Sequence, residues 1–504
     1  MQIPKINPIQ NYVIVGGGTA GWMTAAILAH SLKHLKVNIS LIEAPDIPTI
    51  GVGEATIPSF VDLLAFLRIP LKDFIKNTDS TFKLAIKFEN WRQNNHNYWH
   101  PFGKIGNQID GLDFYQHWLN HYAQQGQFQF TDFSPAVHLA EQNRFYAPRP
   151  GEKSNLSASA FALHFNAALV ADYLKSYSLN LGVTHISDRV EQVNLSPSGT
   201  IKDLTLKQHG NLSGDFYFDC SGQAAVLINK ALRVGYQDWQ EYLPVDTAIA
   251  LQSKAHQAPR PYTRAIAQPS GWCWQIPLQS RTGNGYVFSR DFTSPEQASD
   301  HLVEQLGEQN CLTEPRQVRF RTGKRNKIWY KNCLSVGLSS GFLEPLESTS
   351  IHLIMKAVLN FVQSLPDKNL SEATTNEYNR RMDSEYLNIR DFIIAHYCLS
   401  ERTDSEFWRC WQHAVIPDSL QQKLALFKNY GRLQHNPDDL FATDSWYAVL
   451  TGMGLMPTGQ DPLVARSNTN MIEGALKDSY QALHRSAAEK LSHADYLAAL
   501  LNKQ

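Results

Sequence analysis

The sequence predicts an α/β protein, and three observations lead there. A strand, a glycine turn, a helical run and a second strand open the chain, period-two segments occupy its middle, and helical periodicity fills its last third. Taken in order, Tyr12 to Val15 is a short apolar run of the buried-strand type, and Met23 to Leu35 places apolar residues at helical spacing. Val37 to Ile42 is a second apolar strand that ends at Glu43. Phe82 to Phe88 alternates, with Phe82, Leu84, Ile86 and Phe88 on one face and Lys83 and Lys87 on the other, which predicts one strand with a wet face. From 90 to 160 the chain is rich in Asn, Gln, His, Tyr and Trp, the composition of an excursion from the main fold. Strand-like segments return at 183–220 and 246–290. Leu334 to Gly337 is a further strand leading into a Ser/Gly loop, then a helix from about Ser348 through Ile351, Ile354 and Met355. Beyond 360 the pattern is helical almost throughout. We therefore expect one module over 1–360, with substrate-side excursions at 90–160 and 246–330, and a helical C-terminal subdomain over 361–504.

At 504 residues the chain is long enough for two to four structural units with ample core. Its 46 basic and 47 acidic residues leave a formal charge of −1, which gives no electrostatic reason to expect nucleic acid or an anionic membrane as partner. The six cysteines, at 220, 273, 311, 333, 398 and 410, form no CxxC pair, so neither a zinc knuckle nor a disulfide framework is legible. The opening MQIPKINPIQ has no apolar core of the signal-peptide type, and no run approaches 18 apolar residues. A reducing cytoplasm is the expected location. His117 and His121 stand at i, i+4 spacing, but the glutamate of HExxH is missing and no third ligand is legible, so they read as structural and no metal is expected.

Gly16-Gly17-Gly18-Thr19-Ala20-Gly21 places GxGxxG between strand and helix, and Glu43 lies 22 residues beyond Gly21 at the end of the next strand. Glycines permit the tight turn and the close approach of backbone N–H groups to a pyrophosphate. The helix start adds partial positive charge, and the acid accepts hydrogen bonds from a ribose. Dinucleotide binding follows. FAD is favoured over NAD because the fingerprint opens the chain and Asp215 to Gly222, a strand ending in a small-residue turn, resembles the segment that closes over FAD in glutathione-reductase-like flavoproteins. Cys220 within it has no second cysteine near in sequence and reads as a packed small residue. No separate NAD(P)H fingerprint occurs, so electrons must come from elsewhere.

Four further segments resemble those of the flavin-dependent halogenases of the tryptophan-halogenase type, in that family's order and across essentially the whole chain. Gly51-Val52-Gly53-Glu54-Ala55-Thr56-Ile57-Pro58 is similar to its flavin strap, and Trp272-Cys273-Trp274-Gln275-Ile276-Pro277 to its WxWxIP signature. Phe82-Lys83 with Lys87-Phe88 and Trp91 resembles the segment of its catalytic lysine, and Phe342 to Thr349 its catalytic-glutamate and halide loop. The resemblance implies a glutathione-reductase-like FAD-binding fold with a β-sheet substrate module and a mainly helical C-terminal part. It also implies an enzyme that uses FADH2, O2 and chloride or bromide to make HOX, which passes through a tunnel to an electron-rich arene, indole-type here. A separate flavin reductase would supply FADH2; a homodimer is compatible with all of this.

By the same resemblance Lys83, which directly follows the aromatic residue, receives HOX and either polarises it or forms a haloamine. Glu347 is the catalytic glutamate, oriented toward the halogenating species or accepting the ring proton, with Ser348 beside it, and the backbone amides of Thr349 and Ser350 hold the halide. Pattern alone would make Lys83 a solvated charge, and Glu344 and Glu347 ordinary acids at a helix start. Trp272 and Trp274 share one strand face and would wall off the flavin, which blocks direct hydroxylation of the organic substrate. Cofactor contacts carry over to Gly17, Ala20, Ala44, Ile50, Val52, Ala55, Leu338 and Ile351. His100 and Phe102 match the place where an indole stacks, with Trp446 as a further wall.

The rival readings are an aromatic hydroxylase of the same fold and a non-catalytic flavin-binding protein. Against the first stand WxWxIP, Lys83 and Gly337-Leu338, where such hydroxylases carry an Asp after the glycine; against the second stand Lys83 and Glu347. Free-tryptophan halogenases carry a long aromatic and acidic lid before their closing Met/Leu-Pro segment. Here the corresponding stretch, Leu433 to Tyr447 before Met456-Pro457, is short and different, which predicts that free tryptophan is a poor substrate.

Overall fold

A computed structural model describes residues 7–47, 53–255, 258–434, 436 and 438–502. Its first sheet has six strands in the order Trp329–Tyr330, Cys333–Ser335, Phe216–Asp219, Asn11–Val15, Asn38–Glu43, Thr184–Ser187. All neighbouring pairs are parallel except the edge hairpin at 329–335. Parallel strands need helical crossovers that cover both faces, which is why Tyr12 to Val15 reads as unbroken apolar sequence rather than as alternation. The Thr19–Leu32 helix packs on this sheet and against the Ser350–Gln363 helix, with Trp22, Met23, Ile27 and Leu28 buried.

A second sheet of seven strands builds the substrate side. Its order is Arg316–Arg319, Thr247–Lys254, Arg281–Phe288, Gly271–Pro277, Tyr262–Gln268, Ala85–Glu89, Asn97–Pro101, and all pairs are antiparallel except Tyr262–Gln268 with Ala85–Glu89. A small antiparallel sheet, Gly53–Ala55, Ala162–Asn166, Thr81–Lys83, lies beside it. From Ser350 onward the regular elements are helices, including the 27-residue Glu372–Cys398.

The single strand with a wet face expected over Phe82 to Phe88 does not form. Thr81–Lys83 belongs to the small sheet and Ala85–Glu89 to the large one, with Leu84 as the corner between them: its N–H donates to Pro261 and its carbonyl accepts from Phe102. Both faces of the first piece are covered, and Lys83 is completely buried. Alternation gives the face a residue shares within one strand, but it cannot register that the chain changes sheets. Two boundaries also differ from expectation. The Leu334–Gly337 strand shortens to Cys333–Ser335 before a tight turn at Gly337–Ser339, and the following helix starts at Ser350 rather than Ser348. Ser348 has φ +59°, a left-handed conformation that no helix interior accepts.

Candidate active site

At the cradle, Gly16 has φ +117°, and a Cβ there would stand 2.2 Å from the Cys220 carbonyl oxygen. A Cβ on Gly21 would meet the Gly16 carbonyl oxygen at 1.8 Å, whereas one on Gly18 would meet nothing within 4 Å. The first and last glycines thus serve the fold, and Gly18 leaves the surface over the helix start bare. Gly18 caps the Thr19–Leu32 helix without a side-chain hydrogen bond, and no acid occupies its first turn. Exposed N–H groups, no competing carboxylate and a bare approach fit a pyrophosphate. Glu43, whose side chain packs on Gly17, is met by Lys175 Nζ at 2.9 Å and His185 Nε2 at 2.8 Å. Gly337 abuts Ala20, which brings the Leu338 turn and the helix carrying Ile351 to the same helix start. Ala44 directly follows the Glu43 strand, while Ile50 and Val52 lie outside the described residues.

Beyond the cradle lies a cavity lined by Glu54, Ala55, Trp272, Trp274, Ser348 and Ser350 among others. Both tryptophans face it from the Gly271–Pro277 strand. Opposite Trp274 on the next strand is Gly285, where any Cβ would come within 2.1 Å of the indole, so the glycine lets the ring lie flat on the sheet. Trp272 is fixed by its Nε1–H, which donates to Glu344 Oε2 at 2.7 Å. A glycine-rich cradle leading to an aromatic-walled cavity fits FAD; with O2, oxidising power for halide is the chemistry that FAD would supply there.

Lys83 lies next to this cavity, and its Nζ donates to Thr56 O at 3.0 Å and to Ser348 Oγ at 2.9 Å. Burial lowers its ammonium to about 7, against the opposing pull of Glu347. Two acceptors match the two N–H groups of a neutral amine and leave a lone pair. Glu347, in the Pro345–Glu347 turn, is also fully buried. Its Oε2 lies 2.7 Å from His100 Nδ1 and its Oε1 2.8 Å from His396 Nε2, the latter contact too bent for an aligned hydrogen bond. Burial alone would raise this carboxyl, but the attraction and hydrogen bond of His100, with the close ring nitrogen of His396, bring it down to about 2. A nucleophilic amine and a carboxylate held ionised are therefore both buried and coupled electrostatically. Ser348 joins them because its left-handed backbone turns the hydroxyl to Lys83. The amides of Thr349 and Ser350 begin the next helix with no hydrogen-bond partner among the described residues.

The aromatic residues assemble less simply than the sequence suggests. Phe102 lies with its ring centre 5.0 Å from Lys83 Nζ and edge-on to His100 at 6.4 Å. His100, read from the resemblance as a stacking ring, also holds Glu347 through Nδ1. Trp446 contacts the cluster through Phe392, at 4.8 Å between ring centres, and carries Lys423 Nζ over its own ring at 4.3 Å. Phe441, from the short stretch before Met456, stacks on Phe392 at 3.8 Å and stands 5.9 Å from His100. Sequence reading missed His396, Phe392, Phe441 and the partners of Glu344. The i, i+4 pair Phe392 and His396 on a helical run was the available signal, but such pairs usually just pack. Elsewhere, His117 donates its Nε2–H to the Ile109 carbonyl, and among the described residues no group of three or more His, Cys, Asp or Glu is placed to hold a metal ion. No helix among them is long and apolar enough to cross a membrane.

Comparison with known proteins agrees with this geometry. The protein-family model described as tryptophan halogenase matches residues 11–469. The chain is 33% identical to tryptophan 7-halogenase RebH of Lentzea aerocolonigenes, covering 94% of this chain and 96% of that one. It is 35% identical to tryptophan 6-halogenase SttH of Streptomyces toxytricini over 92% of each. The solved structure of BrvH, a flavin-dependent halogenase from Brevundimonas sp. BAL3, superposes with a TM-score of 0.94 at 38% identity, covering 98% of this chain and 99% of that one. With its α/β sheets and C-terminal helices in the same arrangement as those enzymes, the chain belongs to the family of flavin-dependent tryptophan halogenases.

Proposed function

We propose that the protein halogenates an electron-rich, indole-type arene with oxidised chloride or bromide, using Lys83 and Glu347, and that free tryptophan is not its preferred substrate. FAD, reduced by a separate reductase in the cytoplasm, would together with O2 supply the oxidising power when bound. The observation that carries the reading is the buried Lys83 amine, 2.9 Å from Ser348 Oγ and electrostatically coupled to a buried, ionised Glu347. The lone pair of Lys83 attacks the halogen of HOX, giving an N–X bond and releasing water. The arene then takes the halogen, the N–X electron pair returns to nitrogen, and Glu347 accepts the ring proton and passes a proton back to nitrogen, restoring the amine. Trp272 and Trp274 keep the arene away from the flavin side, so halide is what becomes oxidised. Stacking contacts come from His100, Phe102 and Trp446, and the halide rests on the Thr349 and Ser350 amides. Neutral indole needs no charged partners in this aromatic chamber, whereas a zwitterion must surrender its hydration. Mass spectrometry of an indole and phenol panel, incubated with the protein, a flavin reductase, NADH, O2 and either halide, tests the proposal. Hydroxylated rather than halogenated products, or none, would reject it.

A further inference from the structure

Glu344 is fully buried, and the chemistry above leaves it unused. Its Oε2 accepts two hydrogen bonds, from Trp272 Nε1 at 2.7 Å and from the Tyr397 hydroxyl at 2.8 Å, while its Oε1 has no partner among the described residues. These contacts join three elements. Glu344 immediately precedes the Pro345–Glu347 turn, Trp272 forms part of the cavity wall, and Tyr397 follows His396 in the Glu372–Cys398 helix. One short turn therefore docks on two consecutive helix residues, Glu344 on Tyr397 and Glu347 on His396.

We infer that Glu344 is a positioning residue that latches Trp272 in the cavity wall, so that oxidised halide reaches Lys83 instead of escaping. The inference rests on the halogenase reading above. A buried carboxyl is costly unless its position is needed, and a leucine would fill the same space without desolvation. Burial raises Glu344 to about 7, against the bonds from Trp272 and Tyr397, so its neutral form is well populated near neutral pH and glutamine is a close mimic.

The test is the partition of oxidised halogen between the indole substrate and monochlorodimedone, a scavenger confined to solution, at matched fold by circular dichroism and matched FAD affinity. Glu344→Leu should shift the partition toward the scavenger by about tenfold, the scale of one lost hydrogen bond to a charged group. Glu344→Gln, which keeps the acceptor, should restore the wild-type ratio. If Glu344→Leu does not fold, Tyr397→Phe removes one donor with little change in volume and should shift the partition in the same direction. A wild-type partition in Glu344→Leu, or in Tyr397→Phe where that variant stands in for it, overturns the inference, and so does a glutamine variant as leaky as leucine. A wild-type protein that halogenates neither acceptor would instead overturn the halogenase reading.

Discussion

Lys83 is the residue on which the proposed chemistry turns, and its environment yields three predictions. Lys83→Ala should abolish halogenated product while reduced flavin is still consumed and peroxide released, because the amine acts after the flavin. Product and peroxide measured in one reaction check this, and near-wild-type product would transfer attention to Lys87. With its ammonium brought to about 7 by burial, halogenation by the free amine should rise between pH 6 and 8. A profile of kcat/KM flat across that range would show that the charged form acts. The same shift sets stability. The unfolded chain keeps the ordinary value of 10.5, so between about pH 7 and that value it binds more protons than the folded state, and folding stability rises with pH. Lys83→Met should be inactive and unfold at a higher temperature at pH 7, with a smaller gain toward pH 9. Glu347→Gln loses the proton acceptor and should slow halogenation by roughly 10²- to 10⁴-fold, the usual range for a positioned acid or base.

At the scale of elements, glycines shape the start of the Thr19–Leu32 helix and the seat of Trp274 on the Gly271–Pro277 strand. Gly18→Val should leave the fold intact, since a Cβ there meets nothing within 4 Å, yet weaken FAD binding by about tenfold or more, one 1.4 kcal/mol step. Fluorescence titration checks it, and unchanged affinity would place the pyrophosphate elsewhere. The cradle was legible in sequence because glycine spacing, a strand before and a helix after are all local. The partition of roles among the glycines was not, since the 2.2 Å clash at Gly16 comes from Cys220, some two hundred residues away. The same distance in sequence hid the corner at Leu84. Period-two alternation continues across it, but only the partners show that Thr81–Lys83 and Ala85–Glu89 lie in different sheets.

For the whole molecule, the last prediction concerns substrate. The stretch from Leu433 to Tyr447 brings Phe441 onto Phe392 and toward His100, forming an aromatic enclosure. Comparison of kcat/KM should favour indole over L-tryptophan. A clear preference for tryptophan would show that another segment binds the amino and carboxylate groups. Taken alone, the sequence determined the fold class, the dinucleotide cradle and the family, because each is written in short contiguous patterns whose physical purpose is local: a turn, a helix start, a strand face. Only the tertiary structure decided that Lys83 is buried rather than solvated, that His100 and His396 clamp Glu347, and that Glu344 binds Trp272 and Tyr397. Burial and hydrogen-bond partners come from segments up to three hundred residues apart in the chain. Proton affinities follow from that environment, and so does the difference between a surface charge and a catalytic one.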